Sequence, residues 1–132
     1  MLSDQLRSSP LFESLTDTQR ERIAERFKEV DVDLGAVLAR KGDFADHLFV
    51  VVAGTAAVTV DDDLVTMLRP GNTFGEIGVV EDSRRTANVV AVTPMSLLTM
   101  SADDYNELVE EFPDFGARAK VLAQARLART EG

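Results

Sequence analysis

Residues 71–91 read GNTFGEIGVVEDSRRTANVVA, and their hydrophobic pattern is neither that of an alternating strand nor that of an amphipathic helix. Gly75 and Gly78 bracket Glu76 and Ile77. Gly75 permits a backbone conformation or a close approach that a Cβ would block. The residues after it suit one short helical turn, whose free N–H groups carry the positive end of the local dipole. Backbone alone would then form an anion site.

The second half of this stretch adds cationic and hydroxyl groups. Arg84 and Arg85 precede Thr86, and an arginine fork donates paired hydrogen bonds to phosphate oxygens. The stretch therefore offers amides, a guanidinium and a hydroxyl for a phosphate, and the Glu76 carboxylate for a sugar hydroxyl. A purely structural interpretation also fits these residues, because the glycines suit turns and Glu76 could pair with Arg85.

Composition limits the classes of function. The chain has 132 residues and a net charge of -9, with no cysteine and one histidine, His47. This size suits one domain. Disulfides and thiolate sites are excluded, and a multi-histidine metal site lacks ligands. The negative charge argues against nucleic acid and anionic lipid as partners, and no apolar run approaches the ~20 residues of a membrane span. We expect a cytoplasmic protein that binds no metal.

Outward from the stretch, the chain indicates a β-core. Residues 48–60, LFVVVAGTAAVTV, are rich in β-branched residues and read as two strands joined at Gly54. Asp61 to Asp63 is a predicted turn. Further predicted strands are Ala36–Arg40, Leu64–Leu68, Thr86–Val92 and Met95–Met100. Turns every eight to twelve residues indicate a small barrel, roll or sandwich.

Helices are predicted on both sides of the core. Thr16 and Gln19 have capping-box spacing and predict a helix over 16–29. Ser101 predicts the start of a later helix, and Pro113 suits the first position of another that runs to about residue 129.

Residues 74–87 contain motifs that are similar to those of a known family. FGEIG at 74–78 followed by RRTA at 84–87 closely resembles the phosphate-binding cassette of cyclic nucleotide-binding domains, and the nine-residue step from Glu76 to Arg85 matches that family's spacing. Gly42-Asp43 and the residues that follow resemble its first β-hairpin. The resemblance covers residues 10–130 or so.

The resemblance implies a fold and a division of the chain. The fold would be mainly β with flanking helices, an antiparallel, jelly-roll-like β-roll in a single domain over 1–132. N-terminal helices would occupy 1–30, the roll 31–100 with the cassette at 74–87, and two C-terminal hinge and lid helices 101–132.

The resemblance also implies the ligand, cyclic AMP or cyclic GMP, and the roles of site residues. Glu76 would accept a hydrogen bond from the ribose 2′-hydroxyl. Backbone N–H groups near Ile77 and Gly78 would hold the cyclic phosphate with Arg85 and Thr86. Thr86 could also reach the guanine amino group, which keeps cyclic GMP open. The implied ligand-binding set is Phe74, Gly75, Glu76, Ile77, Gly78, Arg85, Thr86 and Ala87.

Some positions depart from the family pattern or follow no strict motif. Arg84 stands where many members have proline and is the second choice for the phosphate arginine. Asn88 stands where threonine or serine is common. Leu122 and Arg126 lie one helical turn apart and could face the base as part of a lid.

Three functions are compatible with the sequence to different degrees. The first is a regulatory module in which ligand binding moves the C-terminal helices against an effector domain or protein. The second is an interaction domain with the same β-roll that no longer binds nucleotide. The third, a metal-dependent cupin enzyme, is disfavoured because such sites need several histidines and carboxylates.

Overall fold

The structure is a computed structural model that describes residues 12, 15–44, 47–75, 85 and 87–121. Helix α1 spans Asp17–Ala24, helix α2 spans Ala102–Glu111, and helix α3 is described over residues 113–121. The described strands are β1 Lys28–Val32, β2 Val37–Ala39, β3 His47–Ala53, β4 Ala56–Val60, β5 Asp63–Leu68, β6 Thr73–Phe74, β7 Asn88–Ala91 and β8 Met95–Ser101.

The strands form two antiparallel four-stranded sheets. The first sheet has the order β1-β8-β3-β6 and the second has the order β2-β7-β4-β5. Helices flank these sheets in the chain, so the predicted mainly β architecture is confirmed. No helix among the described residues is both long enough and apolar enough to cross a membrane.

Local signals in the sequence place several element ends correctly. Asp61 and Asp62 have φ of 52° and 70° and join Val60 to Asp63 as a two-residue hairpin loop with positive φ at both positions. Thr16 forms the predicted capping box with Gln19. The Ser101 hydroxyl accepts the Asp104 N–H at 3.1 Å and caps α2.

The predicted helix over 16–29 is wrong in its last third. α1 ends at Ala24, and residues from Lys28 onward form β1, which pairs with β8 over five positions. Phe27 supplied the apparent next turn of the apolar stripe, and it is buried in the core from a position outside the helix. Pairing with a neighbouring strand outweighs the helical propensity of these few residues.

Two hydrophobic cores lie on opposite faces of the first sheet. The helix-side core contains Leu48, Val50, Leu98 and Met100 together with residues of the helices, among them Ile23, Leu108, Phe115 and Ala119. The roll-interior core contains Val51, Phe74, Val89, Ala91 and Leu97 and fills the space between the sheets. β3 is a continuous apolar run because both of its faces are buried.

Ion pairs connect α1 to α2 at the surface. Arg26 contacts Asp104 at 2.7 Å and also Glu107, and Arg22 contacts Glu111. Hydrogen bonds from Glu107 first and Asp104 second raise the pKa of Arg26 above its ordinary value. We call these five residues the α1–α2 clasp.

Candidate functional site

The described part of the cassette begins where β6 ends. Phe74 pairs with Phe49 of β3 across the sheet, and their rings stack with centroids 4.7 Å apart and an interplanar angle of 10°. Both side chains pack against or within the roll-interior core. This aromatic pair fixes the end of β6 and therefore the point from which Gly75 leaves the sheet.

Gly75 lies against the guanidinium of Arg85. A Cβ added at Gly75 would lie 2.5 Å from Arg85 Nη1 and 2.7 Å from the carbonyl oxygen of His47, and its φ is +88°. Both the backbone conformation and the space therefore require glycine here. The group that lies against Gly75 is the guanidinium of the predicted phosphate arginine, and the approach of Gly75 to a sugar stays a prediction.

Arg85 is held at both of its ends. Its Nη2 donates a hydrogen bond to the His47 carbonyl at 2.8 Å. Its backbone N–H donates to the Asp43 carbonyl at 2.6 Å, and its own carbonyl accepts the Gly42 N–H at 2.9 Å. Only 9% of the residue is exposed. Burial of a cation is costly unless polar or anionic groups surround it, and phosphate oxygens suit an arginine fork.

Ala87 follows on the path into β7. It is partly buried and packs against the roll-interior core. The structure thus brings Phe74, Gly75, Arg85 and Ala87 together at one end of the roll. The remaining predicted site residues, Glu76, Ile77, Gly78, Arg84, Thr86, Leu122 and Arg126, lie outside the described residues.

Sequence analysis missed three groups that hold this site. They are the His47 carbonyl, the turn at Gly42 and Asp43 that binds the Arg85 backbone, and the Asn88 side chain, whose Oδ1 accepts the Lys41 N–H at 2.9 Å. The sequence marks Gly42 as a turn residue. Backbone carbonyls carry no side-chain signature, so no pattern could have indicated that His47 and Asp43 contact Arg85.

A separate depression of about 280 Å³ lies on the surface, away from this site. Its lining residues are Asp31, Val32, Asp33, Ala53, Pro94, Met95 and Ser96. The lining contains two carboxylates and no cationic side chain. An anionic ligand is therefore better matched to the Arg85 end of the roll.

Comparisons with known proteins identify the family. The family model for the cyclic nucleotide-binding domain matches residues 29–112. A cyclic nucleotide-gated potassium channel of Rhizobium etli is 33% identical over 123 residues, which cover 93% of this chain and 34% of the channel. The chain spans about a third of the length of the first curated relatives it matches.

Solved structures share the fold. The catabolite activator protein of Thermus thermophilus has a TM-score of 0.82 at 26% identity, and the match covers 93% of this chain and 60% of that chain. The regulatory domain of Toxoplasma gondii PKA, crystallised with cAMP, has a TM-score of 0.76 at 27% identity, with 83% of this chain and 44% of that chain covered. The predicted antiparallel β-roll is confirmed, and the chain belongs to the cyclic nucleotide-binding domain family.

Proposed function

We propose that this chain forms one domain over residues 1–132 that binds cyclic AMP or cyclic GMP as a regulatory ligand. The observation that carries the proposal is the buried guanidinium of Arg85 against the backbone of Gly75. Membership of the family supports a cyclic nucleotide as the anion, and a relative crystallised with cAMP supports the same class of ligand.

Arg85 binds the cyclic phosphate in this proposal. Because its backbone and its Nη2 are both held by main-chain groups, the guanidinium is preorganised and loses little side-chain entropy on binding. Ile77 and Gly78 add backbone N–H donors, and Thr86 adds a hydroxyl. Glu76 accepts the ribose 2′-hydroxyl.

The remaining site residues have lesser roles in the proposal. Phe74, Gly75 and Ala87 shape the wall near the sugar and phosphate. Arg84 is the alternative phosphate ligand, and Leu122 and Arg126 cover the base. Thr86 decides how well the guanine amino group is accepted, so cyclic GMP stays a candidate beside cyclic AMP.

Coupling to an effector follows from where β3 lies. Its first residue, His47, accepts the Arg85 hydrogen bond, and the next residue, Leu48, is fully buried in the helix-side core with Leu108 and Phe115. A ligand that binds more tightly to one arrangement of the C-terminal helices shifts the domain toward it. The moving helices would then contact an effector domain or protein.

Calorimetric titration of the chain with both nucleotides tests the ligand. Arg85→Ala is expected to abolish detectable binding, because charge-assisted hydrogen bonds to phosphate contribute roughly 1.5–3 kcal/mol each. The variant should stay folded, since no elements of the sheets are removed. Arg69→Ala is the matched control, because it removes the same charge from an exposed position and should keep wild-type affinity.

Two results would contradict the proposal in different ways. Wild-type affinity in Arg85→Ala would overturn the assignment of the phosphate arginine. Failure of the wild-type protein to bind either nucleotide at about 1 mM, where even a binding free energy of about -4 kcal/mol is detectable, would instead favour a β-roll that serves as an interaction domain.

A further inference from the structure

The turn over residues 40–43 forms two hydrogen bonds with the main chain of Arg85. The Asp43 N–H donates to the Arg40 carbonyl at 3.1 Å, and Gly42 has φ of +95°. These features are those of a type II turn with glycine where positive φ is required. The turn donates the Gly42 N–H to the Arg85 carbonyl and accepts the Arg85 N–H at the Asp43 carbonyl. Any shift of the turn therefore shifts the main chain of Arg85.

Asn88 ties the same turn to the chain just after the cassette. Its Oδ1 accepts the Lys41 N–H at 2.9 Å, and it is the first residue of β7, three positions after Arg85. The turn thus meets this segment through three consecutive residues, Lys41, Gly42 and Asp43. Of these three contacts, only the one at Asn88 uses a side chain, so a substitution can remove it and leave the others chemically intact.

We propose that Asn88 is a positioning residue for Arg85 and, through it, for the anionic ligand. This inference rests on the proposed function of Arg85 as the phosphate ligand. Asn88 accepts the Lys41 N–H and so fixes the position of the turn. The next two residues of the turn, Gly42 and Asp43, form hydrogen bonds with the Arg85 main chain. The Arg85 guanidinium is fixed separately by His47, so loss of the Asn88 contact should loosen the backbone end of the arginine first.

The geometry also explains why asparagine suits this position. The acceptor oxygen of asparagine lies one bond farther from the backbone than the hydroxyl of serine or threonine. A shorter side chain would leave the exposed Lys41 N–H to water. Of the three hydrogen bonds described above between the turn and residues 85–88, the two to the Arg85 main chain would remain.

Asn88→Ala tests the proposal, with Asn72→Ala as its matched control. Asn72 Oδ1 accepts the Arg69 N–H at 2.9 Å, also at an exposed turn, so both substitutions remove the same type of hydrogen bond. Asn88→Ala should weaken cyclic nucleotide binding by about three- to tenfold, the effect of one hydrogen bond of preorganisation. Asn72→Ala should bind as the wild-type protein does.

Amide hydrogen exchange in the ligand-free protein supplies a second readout. Asn88→Ala should speed exchange of the Gly42 and Arg85 amides, and Asn88→Asp, which keeps the acceptor oxygen, should restore their protection. A wild-type affinity in Asn88→Ala, unchanged exchange of these amides, or an equal loss of affinity in Asn72→Ala would each overturn the proposal. If the wild-type protein binds neither nucleotide, the proposed function fails, and the exchange rates still decide whether Asn88 holds the turn.

Discussion

At the residue scale, the Arg85 guanidinium lies so close to Gly75 that a Cβ added there would be 2.5 Å from Nη1. The sequence indicates both residues, because a glycine that permits close approach and an arginine that suits phosphate stand at recognisable spacing. This proximity explains why glycine is required at position 75, which the sequence by itself does not explain. A side chain at residue 75 would have to displace both the Arg85 guanidinium and the His47 carbonyl at the start of β3.

Gly75→Ala should therefore weaken ligand binding in addition to lowering the stability of the fold. Gly35→Ala is the matched control, because Gly35 has the same φ of +88° with no atom within 4 Å of an added Cβ. Left-handed backbone strain should lower the free energy of unfolding of both variants by roughly 1–2 kcal/mol. Gly75→Ala should lose more than Gly35→Ala, because its Cβ would also lie 2.7 Å from the His47 carbonyl oxygen. Only Gly75→Ala should also weaken cyclic nucleotide binding, by about tenfold or more if Arg85 is displaced.

Chemical denaturation and calorimetry measure the two effects on the same samples. Equal affinities for the two alanine variants would show that the Gly75–Arg85 contact has no part in ligand binding.

At the element scale, the α1–α2 clasp joins a helix from each side of the β-core. The carboxylates of α2 follow helical spacing and face Arg22 in the last turn of α1 and Arg26 just after that helix ends. They are Asp104, Glu107 and Glu111. The guanidinium of Arg22 also lies 5.9 Å from the centre of the Phe112 ring. The clasp holds the two helices together where they leave the helix-side core.

Removal of the two Arg26 ion pairs of the clasp should lower thermal stability by an amount that depends on salt concentration. Arg26→Ala is expected to lower the melting temperature slightly at low ionic strength, because its two carboxylate partners are exposed or half-exposed and such pairs stabilise weakly. The difference from the wild-type protein should disappear in about 1 M NaCl, where the Debye length is about 3 Å.

Arg40→Ala is the control for the loss of one positive charge, since Arg40 is exposed and has no ion pair among the residues that the structure describes. Thermal melts at both salt concentrations compare the variants. A decrease that is equally large at high salt would assign the effect of Arg26 to packing instead of charge.

The elements differ in how far local sequence predicts them. Capping at Thr16 and Ser101 and the turn at Asp61 to Asp63 are confirmed, because caps and tight turns depend on residues within three positions of each other. β1 was missed, because its register with β8 depends on residues more than sixty positions away. The two-residue strand β6 has too little sequence for a period to be recognised.

At the scale of the whole molecule, the first sheet lies between the roll interior and the helices and contacts both. Leu97 and Leu98 are adjacent in β8, and they are buried in the roll-interior core and the helix-side core respectively. β3 alternates in the same way. Close packing on both faces makes the sheet a rigid connection, so a change at the Arg85 end can alter how the C-terminal helices pack.

Cyclic nucleotide binding should therefore change amide exchange in α2 and α3, well away from Arg85 in sequence. The direction depends on which helix arrangement the ligand favours, and a change of either sign supports the coupling. Arg85→Ala protein at the same nucleotide concentration is the control and should show no change. Identical exchange in α2 and α3 with and without bound nucleotide would limit the proposed function to binding alone.

The family and the β-roll could be identified from features that are each local in the chain. These are the glycines, paired arginines and Thr86 of residues 71–91, the hairpin pattern at Gly42-Asp43 and the helices on both sides of the core. The net charge of -9 argues against general binding of polyanions, and the structure buries one arginine, Arg85, which the proposed function assigns to a single small anion. Tertiary structure alone decided what surrounds that arginine. Gly75, His47 and the 40–43 turn meet Arg85 across separations of ten to forty-three residues, and such contacts arise only when strands pair and the sheets pack.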